Sequence, residues 1–423
     1  MEKDIIKLLI TDYQQYITQI DLIKRNICFM EGQNYVLVGL RHVGKSYLMC
    51  QRISELIGQG HQVEEILYFN FEDDRIGPMT SQDLDLIKTC YEEMYDTKPI
   101  FFLDEIQMVE GWEKFARRLA DWKYQVYITG SNAKMLSSEI ATTLGGRYLI
   151  QEVYPYSLGE YLQANQIAWQ SKTARYQQRK AIVKTAERYF LQGGLPETAT
   201  MRHTRLWMSS LFNKIFFGDL IARHTIRNDF GLRILVRKLA ESVKQPLSYN
   251  RMASIVSATG KKLSVDTTID YIQFMIDAWL LIPYENFVGK MQDKEMNRKY
   301  YFTDNGILAL FLIDPVTSLL ENLVAIQLRR YYGERVYFYL TPKCEVDFFV
   351  PEEGIAIQVA YSLTDEATRT REIAALLALT EYQPVSRRLI ITKEQAEKIT
   401  VEDQLIEVIP YWEWLLDVSS PMQ

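Results

Sequence analysis

The stretch from Asn34 to Ser46, NYVLVGLRHVGKS, restricts this chain more than any other: an apolar run ends at Gly39, four residues intervene, and Gly44, Lys45 and Ser46 follow. A polyphosphate needs backbone N–H groups that approach it without a Cβ in the way, a mobile cation for its outer oxygens and a hydroxyl for Mg²⁺. Gly39 and Gly44 suit the first need, Lys45 the second and Ser46 the third. Tyr35 to Leu37 reads as a strand. After the loop, SYLMCQRISELIGQG places Leu48, Met49, Ile53, Leu56 and Ile57 at helical spacing until Gly58 and Gly60 end the pattern. The expected unit is therefore strand, phosphate loop and helix.

Further on, EEILYFNFED over Glu64–Asp73 reads as a second strand, and SQDLDLIKTCYEEMY as a helix. The run Ile100-Phe101-Phe102-Leu103 is too short for a helix and stops at Asp104 and Glu105, so it predicts a buried parallel strand with its acids at the carboxyl edge of the sheet, where ligands of open α/β folds bind. Asp104 is expected to hold the Mg²⁺ shell and Glu105 to polarise the attacking water. Gln125 to Ala133, QVYITGSNA, reads as a strand from which Ser131 or Asn132 reaches the γ-phosphate or the lytic water; a helix N-cap is an equally good reading of that pair. Arg147, in TLGGRYLI, is a candidate for neutralising charge on the transferring phosphoryl group, from its own subunit or a neighbour.

Taken together, GLRHVGKS, FFLDEIQ, ITGSN, GGR, YPYSLGEYL and GGLPE resemble a prokaryotic family of AAA-superfamily ATPases joined to a carboxyl-terminal region catalogued as DUF4143. The resemblance spans nearly the whole chain. It implies an α/β, additional-strand P-loop ATPase core with the Walker B strand next to the P-loop strand, and nucleotide contacts from Gly39, Arg41, Gly44, Lys45, Ser46 and Tyr47. Following that ATPase domain at 1–155, helical patterning reads as a lid and connecting helix at 156–228 and a winged-helix-like module at 229–315, and 316–423 resembles a PD-(D/E)xK nuclease-like α/β domain.

In the last of these, the resemblance assigns a Mg²⁺-gathering set to Glu321, Asp347 and Gln358, but Ala360 stands where the nuclease lysine belongs. Alanine cannot orient water or stabilise developing charge, so the expectation is a nuclease-like fold without cleavage. The segment 220–265 carries Arg223, Arg227, Arg233, Arg237, Lys238, Lys244, Arg251, Lys261 and Lys262 against Asp229 and Glu241, a local excess of 9 − 2 = +7. In a chain of net charge −6 that excess makes DNA a candidate partner, beside a protein client.

Composition narrows the rest. With 423 residues, 48% hydrophobic and 24% charged, several folded domains are expected, and no apolar run is long enough for a membrane span. The start, MEKDIIKLL, lacks the pattern of a signal peptide, which predicts a cytoplasmic protein. Cys28, Cys50, Cys90 and Cys344 are too dispersed for a zinc knuckle, so reduced thiols are expected. The functional expectation is an ATP- and Mg²⁺-dependent ATPase acting as a molecular switch on its own downstream modules, with a homo-oligomer as one candidate state. Its rivals are an ATP-dependent nuclease and a nucleotide-gated protein-interaction scaffold that hydrolyses little.

Overall fold

The computed structural model describes residues 2–131, 142–289 and 297–418, which form two compact units, Met1–Tyr154 and Pro155–Gln423. In the first unit a parallel five-stranded sheet runs in the order β2-β3-β4-β1-β5, with β1 at Asn34–Val38, β2 at Ile66–Asn70, β3 at Ile100–Asp104, β4 at Val126–Gly130 and β5 at Tyr148–Glu152. Parallel strands joined by helices are covered on both faces, and β3 shows the result: all five of its residues are buried. Each large apolar side chain buried there contributes about 1.5–3 kcal/mol relative to exposure.

The resemblance puts the Walker B strand next to the phosphate-loop strand, and the sheet order differs. The strand ending in Asp104 does not adjoin the phosphate-loop strand, because β4 lies between them, pairing with β3 through Phe102 and Tyr127 and with β1 through Val36 and Ile128. Strand order is a non-local property, and runs of similar apolarity do not encode it. The inserted strand gives its carboxyl-terminal residues a place between the loop and the two acids.

Helix α1 (Lys3–Gln19) buries Ile6, Leu9, Ile10, Tyr13 and Ile17 and is tied to the sheet by Tyr13, whose hydroxyl donates to Asp73 at 2.7 Å. Helix α2 (Lys45–Gly58) buries Leu48, Met49, Ile53 and Leu56, as their spacing predicts.

The second unit begins with helices and continues into two sheets. Helices α3 (Asp229–Glu241), α4 (Tyr249–Ala258) and α5 (Val265–Asp277) are capped by Asn228, Ser248 and Ser264, whose side chains accept from the N–H of Gly231, Arg251 and Thr267. A small sheet in the order β6-β8-β7 accompanies them, formed by Leu247–Ser248, Leu281–Tyr284 (β7) and Asn297–Phe302 (β8). A mixed six-stranded sheet follows in the order β13-β14-β12-β11-β10-β9, built from β9 (Tyr337–Leu340), β10 (Glu345–Val350), β11 (Ile355–Val359), β12 (Arg387–Thr392), β13 (Glu397–Val401) and β14 (Gln404–Pro410). Helices α6 (Val316–Tyr332) and α7 (Glu366–Tyr382) belong to this part of the chain.

The GGLPE stretch has a packing reason. Gly193 has φ 83°, and a Cβ there would lie 2.0 Å from the Asp304 carboxylate, which accepts the N–H of Gly194 at 2.7 Å and of Gly306 at 2.7 Å. Burial drives the Asp304 carboxyl up to about 6 against those backbone donors. Among the described residues no helix is long and apolar enough to cross a membrane.

Candidate functional site

The loop after β1 is shaped by two glycines. A Cβ at Gly39 would lie 2.3 Å from the Val153 carbonyl oxygen, and Gly44 caps α2 with φ 88°, so neither position accommodates an ordinary side chain without strain. From the first turn of α2, the buried Lys45 ammonium donates to the carbonyls of Gly39 at 3.1 Å and Leu40 at 3.2 Å, and lies 3.8 Å from Glu105. Burial lowers the Lys45 pKa, while the negative charges of Glu105 and Asp104 oppose that change.

The two acids differ in environment. Asp104, the last residue of β3, is 2% exposed and accepts from the Tyr68 hydroxyl at 2.6 Å and from Thr129. Burial raises its pKa, with hydrogen bonds from Thr129, Tyr68 and the Ser46 hydroxyl partly offsetting the effect. Glu105 follows in a left-handed conformation, φ 55° and ψ 39°, and its N–H donates to Thr129 Oγ1 at 2.8 Å. Burial would raise its pKa too, but Lys45, Gln107, Arg41 and Ser131 outweigh burial and hold the carboxyl below its usual range. One carboxylate is thus hydrogen-bonded from fixed hydroxyls while its neighbour stays ionised beside a lysine.

The other sequence candidates fall differently. Arg41 forms an ion pair with Glu72 at 3.2 Å, and Tyr47 is half-exposed, its hydroxyl beside that of Tyr16. Ser131, just beyond β4, is buried near Glu105, whereas Asn132 lies outside the described residues. Arg147 is not brought to the loop. Asn34 pairs with Tyr148 at the amino ends of β1 and β5, and Arg147 bonds Asp121 at 2.6 Å there, a strand length of roughly 15 Å from the carboxyl edge where the loop departs. Arg147 therefore does not reach the phosphate loop of its own subunit.

Two residues passed over in the sequence belong to the site. Thr129 joins Asp104 and the Glu105 backbone, and its clue was a polar residue inside the apolar YITG run. Arg25, 5% exposed, donates to the carbonyls of Val43 at 2.9 Å and Tyr154 at 2.8 Å, bracing the loop. Nothing in its local sequence distinguishes it.

A second cluster lies in the other unit. Glu321 on α6 and Asp347 on β10 converge, and Lys299 of β8 stands between them, 3.6 Å from Glu321 and 3.5 Å from Asp347. Gln358 does not turn its amide into the cluster: Oε1 accepts the Asp347 N–H at 2.8 Å and Nε2 donates to the Glu345 carbonyl at 3.0 Å. Ala360 packs in the apolar core with Val346, Leu376 and Ile390.

Comparison with known proteins places these features. Residues 31–162 match the model of an AAA domain, and residues 183–316 match a domain of unknown function, DUF8612, rather than the DUF4143 that the motifs implied. The chain is 30% identical over 394 residues to the uncharacterized protein MJ1544 of Methanocaldococcus jannaschii, covering 90% of this chain and 88% of that protein. It is 30% identical over 395 residues to an uncharacterized protein of Haemophilus influenzae, covering 90% and 94% respectively. A solved structure, the Walker-type ATPase PABY2304 of Pyrococcus abyssi, aligns with a TM-score of 0.42 at 13% identity over 66% of this chain and 90% of that one.

Proposed function

The chain belongs to the family of the M. jannaschii protein MJ1544, and from that membership, its AAA domain match and the geometry above we propose that it is a Mg²⁺-dependent ATPase whose nucleotide state switches its downstream modules. In this reading Gly39 and Gly44 open the loop to the phosphates, and Lys45 exchanges its carbonyl partners for phosphate oxygens. Arg41 and Tyr47 line the nucleotide. Ser46 and Asp104 would hold Mg²⁺, which would neutralise negative charge on the phosphates. Glu105 activates water, and Ser131 and Asn132 are candidates to orient the water or the γ-phosphate.

The observation that carries this reading is the Thr129 hydroxyl, bonded both to Asp104 and to the Glu105 backbone, because it holds a metal-type acid and a base-type acid at fixed separation behind a phosphate loop. Phosphate release from ATP by the full chain tests it. Turnover is expected with Mg²⁺ and is expected to stop when EDTA removes the ion; turnover unaffected by EDTA, or none at any Mg²⁺ concentration, would refute the assignment.

The switch needs something to act on. Arg227, Arg237, Arg251, Lys261 and Lys262 are exposed on or beside the three capped helices, which supports DNA as a partner of that region. A winged-helix-like module at 229–315 and a nuclease-like domain at 316–423 complete the proposal, with a protein client as the alternative partner and the cytoplasm as the compartment.

Arg147 enters only through a second copy of the chain. If it neutralises charge on a neighbour's nucleotide, specific activity is expected to rise with protein concentration, and mixing Arg147→Ala with Lys45→Ala is expected to restore turnover that neither variant has alone. Activity that is flat with concentration, with no rescue on mixing, would leave Arg147 as the partner of Asp121 and nothing more.

A further inference from the structure

The cluster around Lys299 does not suit the metal that its acids would otherwise hold. Among the described residues no three His, Cys, Asp or Glu side chains converge closely enough to hold an ion. Gln358, assigned as a ligand by the resemblance, has both ends of its amide bonded to the β10 backbone. Asp347 is likewise half committed, one carboxylate oxygen accepting the Val359 N–H at 2.9 Å. Its other oxygen faces Lys299.

Lys299 is there for a structural reason. The chain after β7 pairs with β9, Phe287 N–H donating to the Phe338 carbonyl at 2.8 Å and Phe338 N–H to the Glu285 carbonyl at 3.0 Å. This join carries β8 to the edge of the larger sheet. Lys299 and Tyr301, two residues apart on one face of β8, then both address Glu321, Tyr301 by a hydrogen bond of 2.8 Å. The Lys299 side chain is 0% exposed, and its Nζ has no hydrogen-bond partner within normal reach. What surrounds it is charge: Glu321 at 3.6 Å, Asp347 at 3.5 Å and Glu345 at 3.9 Å, with the Phe338 ring centroid at 5.5 Å. A buried ammonium with no hydrogen bond is costly unless nearby carboxylates compensate it. Here the buried Glu321, the partly buried Asp347 and Glu345 at the rim do so.

Among the other charged neighbours, Lys244 acts on Glu321 while donating to the Thr317 hydroxyl at 3.2 Å. From α7, Glu372 is buried and bonded to Arg371 at 3.1 Å. Arg369 pairs with Glu397 at 2.6 Å, and Lys343 lies in the exposed turn between β9 and β10, so neither stands in for the lysine absent at 360. Burial tends to lower the Lys299 pKa, but Glu321, Asp347 and Glu345 outweigh it and keep the ammonium charged. Its burial also denies it a phosphodiester arriving from solvent.

We propose that the Lys299 ammonium is a built-in cation standing in the place of a divalent ion between Glu321 and Asp347, and that removing its charge opens a Mn²⁺- or Mg²⁺-binding site there. Hard divalent ions are held by as few as one or two carboxylates with water completing the shell, so Glu321 and Asp347 are the protein ligands left facing the vacated space once the ammonium is gone. In the intact protein the single Lys299 charge offsets one of these carboxylates and fills the space between Glu321 and Asp347. Metal-dependent cleavage at this site is accordingly expected to be absent.

Mn²⁺ binding to the nucleotide-free full chain, followed by the loss of the free-ion magnetic resonance signal and by thermal unfolding, tests the proposal. The wild type is expected to show no Mn²⁺ uptake that Asp347→Asn removes; such uptake would overturn the proposal without any change at Lys299. Lys299→Met is expected to bind Mn²⁺ at least ~10-fold more tightly than the wild type and to unfold at a higher temperature with Mn²⁺ than with EDTA, both gains vanishing in Lys299→Met/Asp347→Asn. A folded Lys299→Met without the gain overturns it. Should Lys299→Met fold only with Mn²⁺, the proposal stands. Should it fail to fold even with Mn²⁺, Lys299→Met/Glu321→Gln decides why: folding of that pair would show that the site tolerates lost charge but not a metal, and its failure would show that Lys299 is needed for packing. Either result overturns the proposal.

Discussion

Glu105→Gln is expected to bind ATP within about threefold of the wild type and to turn it over at least ~10²-fold more slowly. The amide preserves the shape of the side chain and leaves the Thr129 hydroxyl bonded to the backbone N–H, because that contact does not involve the carboxylate. What disappears is the base. Lys45, Gln107, Arg41 and Ser131 hold the Glu105 carboxyl below its usual range against burial, so near neutral pH it is ionised and able to accept a proton. Calorimetry gives the affinity and steady-state phosphate release gives the rate. Normal turnover would place the base elsewhere; loss of affinity and rate together would mean that Glu105 organises the loop instead of the water.

Lys45→Ala is expected to weaken ATP binding by about 100-fold or more, a difference of about 2.7 kcal/mol. Lys45 is the cation rooted in the first turn of α2, and its present partners are carbonyl oxygens of the loop and the Glu105 carboxylate. Alanine removes the charge that the outer phosphates would meet. It also leaves Glu105 without its lysine, so phosphate repulsion adds to the loss. The loop is expected to stay in place, since Arg25 holds the Val43 carbonyl independently. Calorimetric titration paired with a melting curve separates the two effects: unchanged affinity would sink the nucleotide-site assignment, whereas a collapsed melting temperature would point to folding.

The parts of this site that were legible are those in which one short stretch contains both the scaffold and the chemistry. Gly39 to Ser46 sits between a strand run and a helix period, and Asp104 with Glu105 ends an apolar run, so each position could be read from its neighbours. What escaped was set by partners far along the chain. The insertion of β4 between the two motif strands depends on pairing between residues tens of positions apart, and with it went the role of Thr129. Arg147 looked suited to a phosphate because arginine is, but it precedes Tyr148, which pairs with Asn34, and so lies at the other end of the strands. Lys299 was invisible for a similar reason. It lies in the stretch read as a winged-helix-like module, and pairings far along the chain, Phe287 with Phe338 and Phe302 with Asn322, take it to Asp347 and Glu321.

Arg25 has a consequence for how a small movement at the phosphate loop could be felt elsewhere. Its guanidinium holds the Val43 carbonyl with one nitrogen and the Tyr154 carbonyl with another, and Tyr154 is the last residue of its unit before the chain continues at Pro155. Loop and exit are therefore two ends of a short, stiff lever whose fulcrum is one buried side chain. Gly39 tightens the same linkage from the other side, since its missing Cβ lets the Val153 carbonyl rest against the loop. A shift of a few tenths of an ångström in the loop has little slack to absorb it before residues 153 and 154. Lysine at position 25 would keep the charge but lack the fork that grips both carbonyls, and it would disengage that lever.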